Sequence, residues 1–121
     1  MESCKYTYRA VVISVYDGDT LTADIDCGFG IWLNRQHFRL YGINTPEMRG
    51  PTKEKAIVAR DALRHLVDGR EITIRAHKDV KEKFGRFLAE IYVNGADGNE
   101  IYVNQHMIQQ GHAVPFMADQ E

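Results

Sequence analysis

Tyr6-Thr7-Tyr8-Arg9-Ala10-Val11-Val12-Ile13-Ser14-Val15-Tyr16-Asp17-Gly18-Asp19-Thr20-Leu21-Thr22-Ala23-Asp24-Ile25 decides the fold. Its first ten residues are rich in β-branched and aromatic side chains, which read as a strand. Asp17-Gly18 is a strong hairpin-turn signal, and the alternating run from Thr20 to Ile25 returns as a second strand. A third strand runs from about Gly30 through Arg39 to Ile43, and its imperfect alternation predicts a bend or bulge near Asn34. Pro46 holds Thr45 extended and ends that strand. From Thr52 the period changes: Ala56, Ala59, Leu63 and Leu66 recur at three- and four-residue spacing, with Thr52 as the N-cap and Gly69 as the stop. Arg70 to His77 and Phe87 to Val93 read as strands four and five, separated by the polar loop Asp79 to Arg86. Asn94-Gly95 and Asp97-Gly98 mark a further turn, and Asn104 to Gln110 reads as a short helix closed by Gly111. Three strands, a helix, two strands and a helix is the order of a mainly β protein, a five-stranded Greek-key barrel of the OB type. One main helix plugs an open end and a short helix follows near the C-terminus. There is no repeat, low-complexity tract or linker, so residues 1–121 read as a single domain.

A chain of 121 residues should bury roughly two thirds of its unfolded surface, enough for one core. No apolar run approaches the roughly 20 residues of a membrane-spanning helix, which excludes that class and a membrane partner with it. Cys4 and Cys27 form no C-x-x-C and are expected to be free thiols. The histidines His37, His65, His77, His106 and His112 lack metal-site spacing, so zinc motifs are absent. The N-terminus shows no apolar signal region, which points to a cytoplasmic protein or to a mature form whose leader is missing. The net charge of −2 hides an uneven distribution: residues 49–86 carry eleven basic and six acidic groups, whereas 87–121 carry no basic group and five acidic ones. An acidic last third argues against indiscriminate coating of nucleic acid, while the basic middle can attract phosphate locally. The plain reading of Lys53, Lys55, Arg60 and Arg64 is the solvated face of a helix.

Asp19, Arg39, the stretch Asn44-Thr45-Pro46-Glu47, and Arg86 ask for a chemical explanation. Each alone has an ordinary reading. Asp19 is a polar residue leaving a turn, Arg39 alternates with Phe38 and Leu40 and so faces solvent, Thr45-Pro46-Glu47 is a strand exit, and Gly85-Arg86 is a turn. Together, two arginines, two carboxylates and an amide oxygen at the loop mouths of one barrel can supply both metal binding and phosphate recognition. Phosphodiester hydrolysis needs those parts.

The combination resembles the staphylococcal (micrococcal, or thermonuclease) nuclease family. The resemblance rests on Tyr16-Asp17-Gly18-Asp19-Thr20, on Phe38-Arg39-Leu40-Tyr41-Gly42-Ile43-Asn44-Thr45-Pro46-Glu47, on Lys83-Phe84-Gly85-Arg86-Phe87-Leu88-Ala89, and on Val103-Asn104 followed by Gln110-Gly111-His112-Ala113. These occur in family order over nearly the whole chain. The resemblance implies an OB-type barrel and a calcium-dependent, sugar-nonspecific nuclease that cuts DNA and RNA, with single strands preferred, to 5′-hydroxyl and 3′-phosphate products. It implies a calcium site of the Asp19 carboxylate, the Asn44 side chain and the Thr45 carbonyl, an all-oxygen set that another divalent cation can also occupy. It implies Arg39 and Arg86 on the scissile phosphate and Glu47 as general base or water-orienting group. It implies Lys83 on a terminal phosphate of the bound nucleotide, and Phe84 stacking where the family often has Tyr.

Three departures qualify these expectations. Asn44 stands where the family reference has Asp, which keeps an oxygen but removes a charge, so calcium affinity should fall. The segment from Glu47 to Thr52 is short, which trims the loop carrying Glu47. The long terminal helix of the reference is expected to be missing, and Phe116 or Met117 stands near its nucleotide-contacting Tyr. The competing class is a catalytically silent family module that binds nucleic acid or protein, with Asn44 as its chief motive. Joint retention of Arg39, Glu47 and Arg86 favours the enzyme.

Overall fold

The computed structural model describes residues 6–81 and 85–116, with the backbone alone for 77–81. The elements in order are β1 (Thr7–Asp17), β2 (Thr20–Asp26), β3 (Trp32–Leu40), β4 (Ile43–Asn44), α1 (Lys53–Val67), β5 (Glu71–Lys81), β6 (Phe87–Asn94), β7 (Glu100–Tyr102), α2 (Val103–Gln109) and β8 (Val114–Pro115). The sheet runs β3-β2-β1-β5-β6-β7, and β3 also pairs with β6. That last pairing is parallel, through Phe38, Arg39 and Leu40 opposite Phe87, Leu88 and Ala89, and it closes a five-stranded barrel. The fold is therefore mainly β with two helices, of the OB type.

Local structure follows the residue pattern with informative shifts. The hairpin turn sits one residue later than expected, because Asp17 is still paired with Thr20, leaving Gly18-Asp19 at the tip. The bulge expected near Asn34 is present. The register between β2 and β3 shifts between Ala23 and Ile25, and Arg35 takes a left-handed φ of 57°. The third strand ends at Leu40 rather than Ile43, because Gly42 turns the chain with a φ of 80°, and Ile43–Asn44 then pairs separately with β8.

In α1 the buried stripe is Ala56, Ala59, Leu63 and Val67. Val67 takes the place expected for Leu66, which packs at the margin of the core. Thr52 stands at the N-cap but makes no side-chain cap hydrogen bond. Its hydroxyl donates instead to the Glu47 carbonyl at 2.8 Å. The first turn of α1 is preceded by a short 3₁₀ turn at Gly50–Thr52. Gly69 follows the helix with a φ of 72°, as a C-terminal stop requires.

The core gathers Leu21, Phe38, Leu40, Ile72, Ile74 and Ile91 from the barrel with Leu63 from α1 and Met107 from α2. Asn104 is buried at the start of α2, where its side chain donates to the carbonyls of Tyr41 (2.8 Å) and Ala89 (3.1 Å) and accepts the Ile91 N–H (2.9 Å). One amide thus ties α2 to β6 and to the end of β3. Cys27 is a free thiol. Among the described residues no helix is long and apolar enough to cross a membrane.

Candidate active site

The site is assembled where the β1–β2 turn meets the segment leaving β4. Gly18 is needed for this approach: a Cβ there would stand 2.9 Å from Ala59 Cβ and 2.9 Å from Thr45 Cγ2. With only hydrogen at that position, Asp19 reaches the loop, and its Oδ2 accepts the Thr45 backbone N–H at 3.1 Å. Its other oxygen, Oδ1, accepts the Thr20 hydroxyl at 3.1 Å. The Arg39 Nη2 lies 3.6 Å from Asp19 Oδ2 and donates to the Asn44 Oδ1 at 3.1 Å.

Arg39 corrects the plain reading of its strand. Alternation does place it opposite Phe38 and Leu40, yet it is only 9% exposed, because the β1–β2 turn and the loop after β4 cover that side. Its Nη1 donates to the Leu40 carbonyl at 3.3 Å, and the Phe116 ring lies over the guanidinium, 5.1 Å from carbon to centroid. Such a cation–π contact holds the fork flat against a defined surface. Asp19, expected on its own to be an ordinary turn residue, is 6% exposed. A buried ion pair is costly to desolvate unless hydrogen bonds complete it. Here Thr20, Thr45 and Asn44 supply them, and no buried side-chain nitrogen or oxygen among the described residues lacks a partner.

Arg86 joins through Thr20: its Nη1 donates to the Thr20 hydroxyl at 3.3 Å, and that hydroxyl in turn donates to Asp19. The two arginines and Asp19, Asn44 and Thr45 therefore form one connected network. Glu47 stands apart from it. Its exposed carboxylate has no ion-pair or hydrogen-bond partner among the described residues, and it lines a groove of about 650 Å³ together with Asn44 and Thr45. Lys83, Phe84 and Met117 lie outside the described residues, as does the chain segment in which the terminal helix was expected to be missing.

Asp17 does more than form the turn that its local sequence announces. Its Oδ1 accepts the Asp19 backbone N–H at 3.1 Å, and burial, reinforced by the neighbouring Asp19 carboxylate, pushes its own carboxyl up to about 6. The signal was present as two aspartates flanking one glycine. Thr20 and Phe116 were likewise quoted without the roles they take here. The Asp19 carboxylate and the Asn44 amide oxygen, both gathered around Arg39 Nη2, are oxygen donors of the kind a hard cation such as calcium accepts with water filling the remaining positions. Among the described residues no group of three or more His, Cys, Asp or Glu could hold a metal, so a cation here would lean on neutral oxygens as well as carboxylates.

Two guanidinium forks in one network can neutralise the charge of a phosphodiester. No curated protein matches the chain. A family model described as staphylococcal nuclease homologue matches residues 37–121, which takes in Arg39, the Asn44 to Glu47 loop and Arg86, while the β1–β2 hairpin that brings Asp19 precedes the matched region. With well over half of its length matched, the chain belongs to the staphylococcal nuclease homologue family.

Proposed function

We propose that this protein is a nuclease that hydrolyses DNA and RNA phosphodiester bonds to 5′-hydroxyl and 3′-phosphate products, with calcium as its metal and single strands as its preferred substrates. The observation that carries the proposal is the joining of Arg39, Arg86 and Asp19 in one hydrogen-bonded network, with Asn44 shared between that network and a groove walled by Glu47, whose carboxylate has no partner among the described residues. Arg39, fixed by Asp19, Asn44 and Phe116, presents its guanidinium without having to reorganise, which is where electrostatic stabilisation of a transition state is largest. Arg86 approaches the same centre from the start of β6, so charge accumulating on a five-coordinate phosphorus meets two forks. Glu47 takes a proton from the attacking water, or holds that water in line, from a position that Thr52 steadies through the Glu47 carbonyl. Asp19, Asn44 and Thr45 would hold calcium, which supplies Lewis-acid stabilisation of phosphate charge and a template for substrate.

The test is incubation of end-labelled single-stranded DNA with the protein in calcium or in chelator, beside Glu47→Gln. Cutting that needs calcium and is lost in Glu47→Gln is the expected result. Intact but retarded DNA in every lane would overturn catalysis in favour of a binding module.

A further inference from the structure

The groove that Glu47 lines with Asn44 and Thr45 lies between the start of α1 and the segment after α2, and its walls include Arg49, Lys55, His112 and Val114. A second recess of about 500 Å³ shares Lys55 and His112 with it, and Glu54 also borders that recess. Arg49 and Lys55 are exposed, and neither forms an ion pair with any described residue. The cations on the far side of the same helix are placed differently. Arg60 pairs with Asp61 at 3.1 Å, and Arg64, half a turn from Lys55 by helical spacing, donates to the Val15 carbonyl at 3.2 Å. Lys53, at the first turn of α1, also has no ion pair among the described residues but lines neither recess, so of the α1 cations it is Lys55 that brings uncompensated charge to the groove. The groove is also held by stiff chain: Pro46 and Pro51 line it, Thr52 is bonded to Glu47, and Gly111 turns with a φ of 82°.

We infer that Arg49, Lys55 and His112 form a second phosphate subsite, which takes the backbone phosphate next to the scissile one. The inference rests on the nuclease reading for the position of the scissile phosphate. Arg49 offers a bidentate fork and Lys55 a point charge, while the His112 ring offers an N–H donor even when neutral. Glu47 repels phosphate in this groove, and the two cations offset that repulsion and leave its carboxylate free for water. A mononucleotide or dinucleotide fills only the arginine centre, whereas a longer strand uses both.

The test is anisotropy of an end-labelled single strand of about ten nucleotides, within the span one OB barrel covers, over a salt series in chelator so that nothing is cut. A thymidine dinucleotide serves as the short ligand, by competition. For Arg49→Gln/Lys55→Gln the slope of log affinity against log salt should fall in magnitude by about 1.4, two contacts at about 0.7 each on single strands. The long strand should bind roughly tenfold more weakly at moderate salt, a loss of the size set by two phosphate contacts, with the dinucleotide unchanged. Arg60→Gln/Arg64→Gln should leave the slope as in the parent. An unchanged slope in the groove variant, an equal loss in the Arg60/Arg64 variant, or no binding by the parent protein would each overturn the subsite. Calcium-dependent cutting by the parent, measured alongside, separates the two readings. A parent that cuts while the groove variant keeps its slope leaves the nuclease standing without the subsite. A parent that does not cut while the groove variant loses slope leaves the subsite standing without the nuclease.

Discussion

Asp19 Oδ2 accepts the Thr45 backbone N–H at 3.1 Å across 26 residues of sequence, and this contact makes a hairpin tip one wall of the proposed phosphate site. It orients the Asp19 carboxylate against Arg39 and sets Asn44 and Thr45 around it. The contact is possible because Gly18 lets the tip lie on Ala59 and Thr45.

Gly18→Ala should therefore act on fold and site together. Its Cβ would be too close to two carbon atoms in tightly packed elements, so relief requires moving the turn or α1, at a cost of about 1 to 3 kcal/mol. Urea denaturation should show that loss, and cutting should fall further than stability alone explains because Asp19 is displaced. A variant as stable and as active as the parent would refute the close-packing account.

Asn44→Asp should lower the calcium concentration needed for half-maximal cutting. The side-chain oxygen already lies 3.1 Å from Arg39 Nη2, so the change adds charge with little change in shape, and calcium affinity rises with ligand charge. A roughly tenfold decrease corresponds to about 1.4 kcal/mol. A calcium titration of initial rate that superimposes on the parent would remove Asn44 from the ligand set.

The barrel was legible because β1, β2, β5 and β6 are long enough for alternation to show, and α1 because its apolar stripe, Ala56 to Val67, spans about three turns. β4 and β8 have two residues each and β7 has three, too few for any period to appear. Arg39 lies on the face that alternation gives it but in a covered environment, because the β1–β2 turn, Asn44 and Phe116 arrive from elsewhere in the chain to cover that face. Asp17 and Thr52 show the same limit from the other side. Asp17-Gly18 signals a turn whose tip falls one residue later, at Gly18-Asp19, and Thr52 stands before a helix. The chemistry of each side chain was then set by a neighbour that local sequence does not reveal: Asp19 crowded against one, and the Glu47 carbonyl taking the hydroxyl of the other.

Thr52→Val should separate positioning from stability. The lost hydrogen bond, hydroxyl to Glu47 carbonyl at 2.8 Å, is at an exposed site and is worth about 1 kcal/mol at most. The loop bearing Glu47 is then less fixed, so kcat should drop several-fold with KM nearly constant, and Thr52→Ser should restore it. A change in KM alone would place Thr52 in substrate binding instead.

Stability should fall at high pH through Tyr102. Burial, then the Glu90 carboxylate and Tyr92, push its phenol up to about 12 from 10, and its ring stacks on Tyr92 at 4.9 Å. A group whose folded value is raised contributes its stabilisation in full below the unfolded value and loses it as pH climbs from about 10 to about 12. Urea midpoints at pH 9 and 11.5 should differ more in the parent than in Tyr102→Phe. Equal differences would show that Tyr102 ionises as readily folded as unfolded.

Asn104→Ala should be the most destabilising of these changes while touching none of the proposed catalytic groups. The Asn104 side chain, 2% exposed, satisfies the Ile91 N–H and two carbonyls, and truncation leaves buried polar groups without partners, each costing about 1 to 3 kcal/mol. Water can enter part of the space, so the net loss expected is about 2 to 4 kcal/mol, read as a lower urea midpoint with an unchanged slope. Asn104→Asp distinguishes a hydrogen-bonding role from a packing one. It keeps the shape and the acceptor for Ile91, but sets carboxylate oxygen against the Tyr41 and Ala89 carbonyls, so it should be no more stable than Asn104→Ala. If Asn104→Asp were instead as stable as the parent, the side chain would be filling space, and the tie from α2 to β6 would have to come from Val103 and Met107 packing alone.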